Sequence, residues 1–317
     1  MSPSTTSFLP TPSTNQTYVT VSPIEGGFIT LPEKFFISPA DPDARKTVPS
    51  LSFLITHPGP IPPILEPYAI AAHKTPIHIL FDLGLRRSTS RYLPIQQTHL
   101  NGRQPYRLEP GVAQHLRAGG LEPDKVDAVF LSHVHYDHHG DPEDFPESAF
   151  VVGHGAPDVL QHGLPGKGSH QYFQKDLLPR SRTLELPSPM SRDSKWAPLG
   201  PFPAALDLFG DASVYIIDTP GHLPGHMNLL CRTGPQKWVC LAGDAFHDKR
   251  LLTGEKEIGT WQGEGGEDFC IHIDKDTARS SIERLRKLQE EEGVEIVAAH
   301  DVGWWEENKG KLFPAHL

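Results

Sequence analysis

Three histidines and one aspartate fall within six positions of the chain, as His133-x-His135-x-Asp137-His138, directly after the apolar run Val126-Asp127-Ala128-Val129-Phe130-Leu131. Imidazole and carboxylate donors this close together are the chemistry of a divalent transition-metal site. The apolar run reads as a buried strand, so the cluster sits on the loop that leaves its carboxyl end. Alternation along an extended loop presents His133 and His135 to one side. Asp137 and His138, where the loop turns, then face a second, neighbouring point. With 18 histidines in 317 residues some clustering arises by chance, but chance does not account for four ligand-type residues behind a strand.

The elements that must position this loop follow from the apolar pattern. Leu51–Ile55 and Ile77–Leu83 read as strands, separated by the proline-rich Pro58–Pro67 connection, and the second runs into Asp82-x-Gly84. Residues 108–120 carry Val112, Leu116 and a Gly-Gly stop, the pattern of a short amphipathic helix. Phe150-Val151-Val152 is a further strand, with His154 a plain strand-end residue. Ser213–Asp218 leads into Thr219-Pro220-Gly221-His222-Leu223-Pro224-Gly225-His226, whose glycines and prolines fix a tight backbone path. Asn228–Cys231 and Lys237–Ala242 form a hairpin through Thr233-Gly234-Pro235-Gln236. A turn centred between Pro235 and Gln236 sets Cys231 opposite Cys240, both as reduced core residues. The second hairpin strand ends in Gly243-Asp244-Ala245. Residues 275–292 read as an amphipathic helix with Ile282, Leu285 and Leu288 on one face and Gly293 as its stop. Val294–Ala299 is a last strand, delivering His300.

Composition excludes several classes. The formal net charge of −10, with no basic stripe, argues against a nucleic-acid partner. No stretch approaches the roughly 18 apolar residues that a membrane span requires. Met1–Thr20 is rich in Ser, Thr and Pro without a basic start or apolar core, so it reads as a flexible arm and not a secretory signal. Residues 21–317 then form a single domain. Within it, 161–196 dissolves into Gly, Pro, Ser and isolated aromatics including His170, Tyr172 and Phe173, as a lid loop walling a pocket would. Three scattered cysteines, Cys231, Cys240 and Cys270, suit a reduced, cytoplasmic protein.

The His-x-His-x-Asp-His string with Gly140 and Asp141 after it, the Thr-Pro-Gly-His segment at 219–222 and Gly243-Asp244-Ala245 together resemble the metallo-β-lactamase superfamily, over about Leu51 to Asp301. The resemblance implies an α/β fold, an αββα sandwich of two mixed β-sheets with flanking helices. It also implies His133, His135 and His222 around one ion and Asp137, His138 and His300 around another, with Asp244 bridging the two. Asp82 would support a ligand histidine from behind, and His226 is read as a supporting residue. Two zinc ions are expected, although the donors also accept manganese, iron or cobalt.

Within the superfamily the motifs look most like N-acyl-homoserine lactonases. The expected reaction is the opening of a small cyclic ester by metal-bound hydroxide attacking the carbonyl, with Asp137 relaying a proton to the leaving group. Those enzymes place a tyrosine three residues after the bridging aspartate; here that position is His247, which can also donate a hydrogen bond or proton at neutral pH. The alternative is a cyclic amide or carbamate, a lactam-type ring in a small xenobiotic or antibiotic. Thioester hydrolysis is disfavoured by the lack of an added C-terminal helical domain. Oxygen or nitric-oxide reduction is disfavoured because di-iron relatives replace the second histidine of the opening motif with glutamate. A non-catalytic scaffold would have lost ligands, whereas all seven are present. Phe246, His272, Tyr172, Phe173 and Trp304 are the expected pocket walls.

Overall fold

The computed structural model describes residues 7–68, 75–164, 172–191, 195–263 and 265–317. Sixteen strands are seen among them: β1 (Thr20–Pro32), β2 (Ile37–Ser38), β3 (Arg45–His57), β4 (Ile77–Phe81), β5 (Ala128–Phe130), β6 (Ala149–Val152), β7 (Thr183–Glu185), β8 (Ala197–Leu199), β9 (Phe202–Asp207), β10 (Val214–Asp218), β11 (Met227–Gly234), β12 (Lys237–Leu241), β13 (Glu257–Ile258), β14 (Trp261–Gln262), β15 (Asp268–Phe269) and β16 (Glu295–Val297). Twelve of them form two six-stranded sheets, ordered β1-β3-β4-β5-β6-β7 and β16-β12-β11-β10-β9-β8. Both are mixed. β4 to β7 run parallel and β12 pairs parallel with β16, while the neighbouring pairs are antiparallel.

Side-chain alternation decides what each sheet face buries. Ile77, Ile79 and Phe81 of β4 share the inter-sheet core with Val214 and Ile216 of β10 and Val239 and Leu241 of β12. The outer face of the first sheet, with Leu80, Val129 and Phe150, is covered by α2 (Val112–Ala118) and α3 (Ala156–His162) through Val112, Leu116 and Val159. The outer face of the second sheet, with Ile217, Leu230 and Ile296, is covered by α5 (Lys275–Glu292) through Ala278, Ile282, Leu285 and Leu288. The helix starts where the Asp274 side chain accepts from the Thr277 N–H at 3.0 Å and stops at Gly293, whose φ of 66° suits a residue without Cβ. The remaining helices are α1 (Pro94–Asn101), α4 (Lys249–Leu252) and α6 (Val302–Asn308). Helix, sheet, sheet and helix layers make the αββα sandwich. No helix among the described residues is long and apolar enough to cross a membrane.

Three local expectations change. Where the expected arm is described, it is anchored at two points, with residues 11–15 exposed between them: Leu9 and Val19 are buried, the Phe8 N–H donates to Glu292 at 2.8 Å, and the Val19 N–H donates to the Arg232 carbonyl at 3.0 Å. Segment 161–196 is not structureless, because α3 runs to His162 and β7 extends the first sheet by pairing with β6; residues 165–171, with His170, and 192–194 lie outside the described residues. The cysteines are not opposite each other. The register pairs Cys231 with Val239 and Leu230 with Cys240, and shifts between Arg232 and Gly234. That one-residue bulge moves the pairing by one, and the period of two sends Cys231 into the inter-sheet core and Cys240 toward α5.

Leu285 is fully buried between α5 and the second sheet. Replacing it by alanine is expected to lower stability by about 2–5 kcal/mol in denaturant unfolding, with the metal-to-protein ratio of the folded fraction unchanged.

Candidate metal centre

The loops that follow β4, β5, β10, β12 and β16 converge at one edge of the sandwich. Past β4 the backbone reverses sharply, with Asp82 at φ 59° and Gly84 at φ 65°. A Cβ at Gly84 would stand 2.4 Å from the Gly26 carbonyl oxygen, so the chain passes there only as glycine. The reversal turns the Asp82 carboxylate under the loop after β5. Its Oδ1 accepts from the Ser132 N–H at 2.6 Å, and its Oδ2 accepts from Ser132 Oγ at 2.7 Å and from His138 Nδ1 at 2.8 Å. Gly140 closes the loop, bonding Gly84 through its N–H at 2.9 Å.

The ring nitrogens then point at each other. His133 Nε2 lies 2.8 Å from His135 Nδ1 and 3.2 Å from His222 Nε2, and those two are 3.1 Å apart. Four donors around zinc at about 2.0–2.1 Å would stand about 3.3 Å apart, so the triangle has the size of a metal's coordination face. His300 spends Nδ1 on the Pro49 carbonyl at 2.7 Å, which leaves Nε2 as the acceptor, 3.6 Å from Asp137 Oδ2 and 3.4 Å from Asp244 Oδ1. His138 Nε2 is 3.2 Å from Asp244 Oδ2, and the same oxygen is 3.5 Å from His222 Nε2 and 3.8 Å from His133 Nε2. The seven expected donors form two clusters, His133, His135, His222 and Asp244 in one and Asp137, His138 and His300 in the other, each with its donor atoms within 4.8 Å of one another, and His222 also meets His247 and His272 in a third such group. His226 joins neither. Its Nδ1–H donates to the Thr219 carbonyl at 2.9 Å and its Nε2 accepts from the Asp244 N–H at 3.1 Å, which fixes the Asp244 backbone.

Burial holds His133 and His222 well below the ordinary imidazole pKa, and neighbouring histidines push the same way. Neutral rings are the form that binds metal. Burial also pulls His138 down, but Asp244 and Asp82 outweigh it and raise it. For Asp244, burial works upward, and His138, His247 and His300 outweigh it to hold the carboxyl well below its usual range. A buried carboxylate among converging lone pairs, with tautomers set from behind by Asp82, Ser132 and Pro49, fits divalent metal.

A pocket of about 290 Å³ opens over this edge, with His135, Asp137, Asp244, His247 and His300 on its floor and Leu31, Phe36, Ile95 and Ile271 among its apolar walls. Tyr172 and Phe173 line it, as expected from sequence. His247 comes close to the centre, its Nε2 3.0 Å from Asp244 Oδ2. His272 is buried beside the floor, its ring 5.0 Å from His222 and 5.4 Å from His247. Phe246 is buried in the core under α5 and lines an adjoining cavity with His247 and His300, whereas Trp304 packs on Phe53 between the sheets while donating Nε1–H to Glu295 at 2.6 Å. Conversely, α1 and its exit bring Gln96, His99 and Arg103 to the pocket, and Tyr136 joins them from inside the histidine motif. Pro94 at the first helical position and Gly102 after the last were the available signals for α1.

Residues 77–300 match the model of the Metallo-beta-lactamase superfamily, and the chain belongs to that family. A gamma-lactamase, FDB1 of Fusarium pseudograminearum, is 31% identical over 62% of this chain and 45% of its own length. An N-acyl homoserine lactonase, AttM of Rhizobium radiobacter, is 28% identical over 62% of this chain and 66% of its own. The chain spans 28% of the length of a Penicillium roqueforti monooxygenase, mpaDE, with 28% identity over 71% of this chain. The crystal structure of a quorum-quenching N-acyl homoserine lactone lactonase superposes with a TM-score of 0.65 and 21% identity, covering 95% of this chain and 100% of that one. Family model and fold agree on that superfamily.

Asp82→Ala is expected to weaken metal binding about 10- to 100-fold. Competition against a chromophoric chelator measures it, with circular dichroism as the control for folding.

Proposed function

We propose that the protein is a dinuclear zinc hydrolase that opens a small cyclic ester. The observation that carries this reading is the Asp244 carboxylate, which lies between the two groups of donors: Oδ2 is 3.5 Å from His222 Nε2 and 3.2 Å from His138 Nε2, and Oδ1 is 3.4 Å from His300 Nε2, as a ligand shared by two ions would. Bound zinc would polarise a carbonyl and lower the pKa of water to about 7. The chain supplies the rest. Leu31, Phe36, Phe173 and Ile271 hold the ring against the floor and keep bulk water away. Asp137 stands on that floor beside His300, placed to take the proton and pass it to the departing oxygen.

A second reading, a cyclic amide or carbamate, is supported by the likeness to a protein named as a gamma-lactamase and by His247. A nitrogen leaving group needs a proton, and an imidazole whose Nε2 sits 3.0 Å from Asp244 can deliver one where lactonases have a phenol. The free thiols Cys231, Cys240 and Cys270 support a reducing, cytoplasmic setting, and the net charge of −10 supports a small-molecule substrate over nucleic acid.

A panel of γ- and δ-lactones, acyl-homoserine lactones, a five-membered cyclic carbamate, a β-lactam and a glutathione thioester, tested on zinc-loaded protein, separates the readings. Opening of lactones that disappears in His133→Ala is the expected result. Carbamate or lactam opening with lactones untouched transfers the assignment to the second reading, and metal-replete protein inert to the whole panel sinks both. On the substrate that turns over, His247→Phe is expected to lower kcat by about 100-fold or more with zinc content retained.

A further inference from the structure

The pocket floor is accounted for by the metal-directed side chains, but its α1 wall carries a charge that they do not use. Arg103 is the sole Lys or Arg among the described residues that line the pocket. Its backbone is fixed on both sides, with its N–H on the Leu100 carbonyl at 2.8 Å and its carbonyl accepting from the Thr30 N–H at 2.9 Å. Its Nε donates to His99 Nε2 at 3.3 Å. Burial, then the Arg103 charge itself, lowers the His99 pKa to about 4, so His99 is a neutral acceptor that aims the guanidinium without compensating it. The Tyr136 phenol oxygen accepts a hydrogen bond from Arg103 and brings it no charge.

No carboxylate pairs with Arg103 among the described residues. Arg86, the fully buried arginine of the neighbouring segment, shows the contrast, with Asp141 at 3.3 Å and Glu143 at 3.0 Å. The other polar wall residues are already engaged: Gln96 Oε1 accepts the Leu93 N–H at 3.1 Å, and Thr98 Oγ1 donates to the Pro94 carbonyl at 3.1 Å. A half-buried cation whose side-chain partners, His99 and Tyr136, are both neutral is left to be balanced by an anion from the pocket. In a protein of net charge −10 a carboxylate was readily at hand in composition, yet none is placed there.

We infer that Arg103 is a substrate-recognition residue that binds a carboxylate carried by the cyclic substrate, away from the bond that is opened. A carboxylate matches the planar guanidinium fork, whose Nη groups can donate two parallel bonds. The site therefore selects ring compounds bearing an acid group over neutral ones. This rests on the ring-opening reading above.

The test uses zinc-loaded full-length protein with a γ-lactone carrying a ring carboxylate and with its primary carboxamide, which has the same shape and no charge. The acid is expected to be preferred by about 10- to 100-fold in kcat/KM, expressed in KM, as a charge-assisted contact of this kind supplies. Arg103→Met brings the acid down to the level of the carboxamide, and Arg103→Lys keeps part of the preference. Equal treatment of acid and amide by the wild type overturns the inference, and so does a preference that survives Arg103→Met, because the acid would then be held by the metal ions. If neither lactone is opened, the ring-opening reading fails on its own account, and calorimetric binding of the two compounds decides Arg103: an acid preference abolished in Arg103→Met upholds it, and equal binding sinks it.

Discussion

The hydrogen bonds of the Asp82 carboxylate are the constraint on which the site depends. The residue is buried and lies in the left-handed region, and its two oxygens accept three bonds from Ser132 and His138. Bonds to a charged acceptor contribute about 1.5–3 kcal/mol each, enough to hold a backbone conformation that costs about 1–3 kcal/mol. Because Ser132 Oγ donates to Asp82, it is left to accept from His133 Nδ1, 3.0 Å away. One carboxylate outside both clusters thus sets the tautomer of an imidazole in each, His133 in one and His138 in the other. Nitrogen lone pairs in both point inward for the same reason.

Position is secured separately from electronics. The far side of the metal loop is tied to segment 86–91 by Asp141, which meets Arg86 at 3.3 Å and Arg91 at 2.6 Å and takes the Arg87 N–H at 3.0 Å. Buried ion pairs add little net stability. Their effect is geometric: Arg86 Nη1 meets both Asp141 and Glu143 while Nη2 donates to Gln174 at 3.1 Å, which ties three segments together. On the opposite side His226 fastens Asp244 to the Thr219 turn, so each half of the centre is braced by groups that touch no substrate.

What was legible in the sequence follows from which signals are chemical and which are geometric. The seven clustered donors could be read because each lies at a strand end in a short string of residue types that do little else together. Asp82 was legible through Asp-x-Gly, where the glycine marks the reversal. Trp304 was misplaced because aromatic type says nothing about which face of an element points inward, and α6 turns it to the inter-sheet core. The cysteine register failed on a single bulge beyond Arg232, which propensity does not encode. Helix α1 passed unseen because, of its two aliphatic residues, only Leu100 is buried, while Ile95, 44% exposed, faces a pocket and a glutamine is buried in its place. A segment that serves a cavity has no clean amphipathic stripe to find.

The donors are spread along the chain in a way that bears on how the protein is made. His133 to His138 are synthesised first, His222 and Asp244 follow much later, and His300 comes last, just past β16, which pairs parallel beside β12. Neither cluster is complete from local contacts, and pairings between distant strands form slowly. The donor set is therefore complete only once both sheets are closed, so the geometry of the centre is a property of the whole sandwich and not of the His-x-His-x-Asp-His loop.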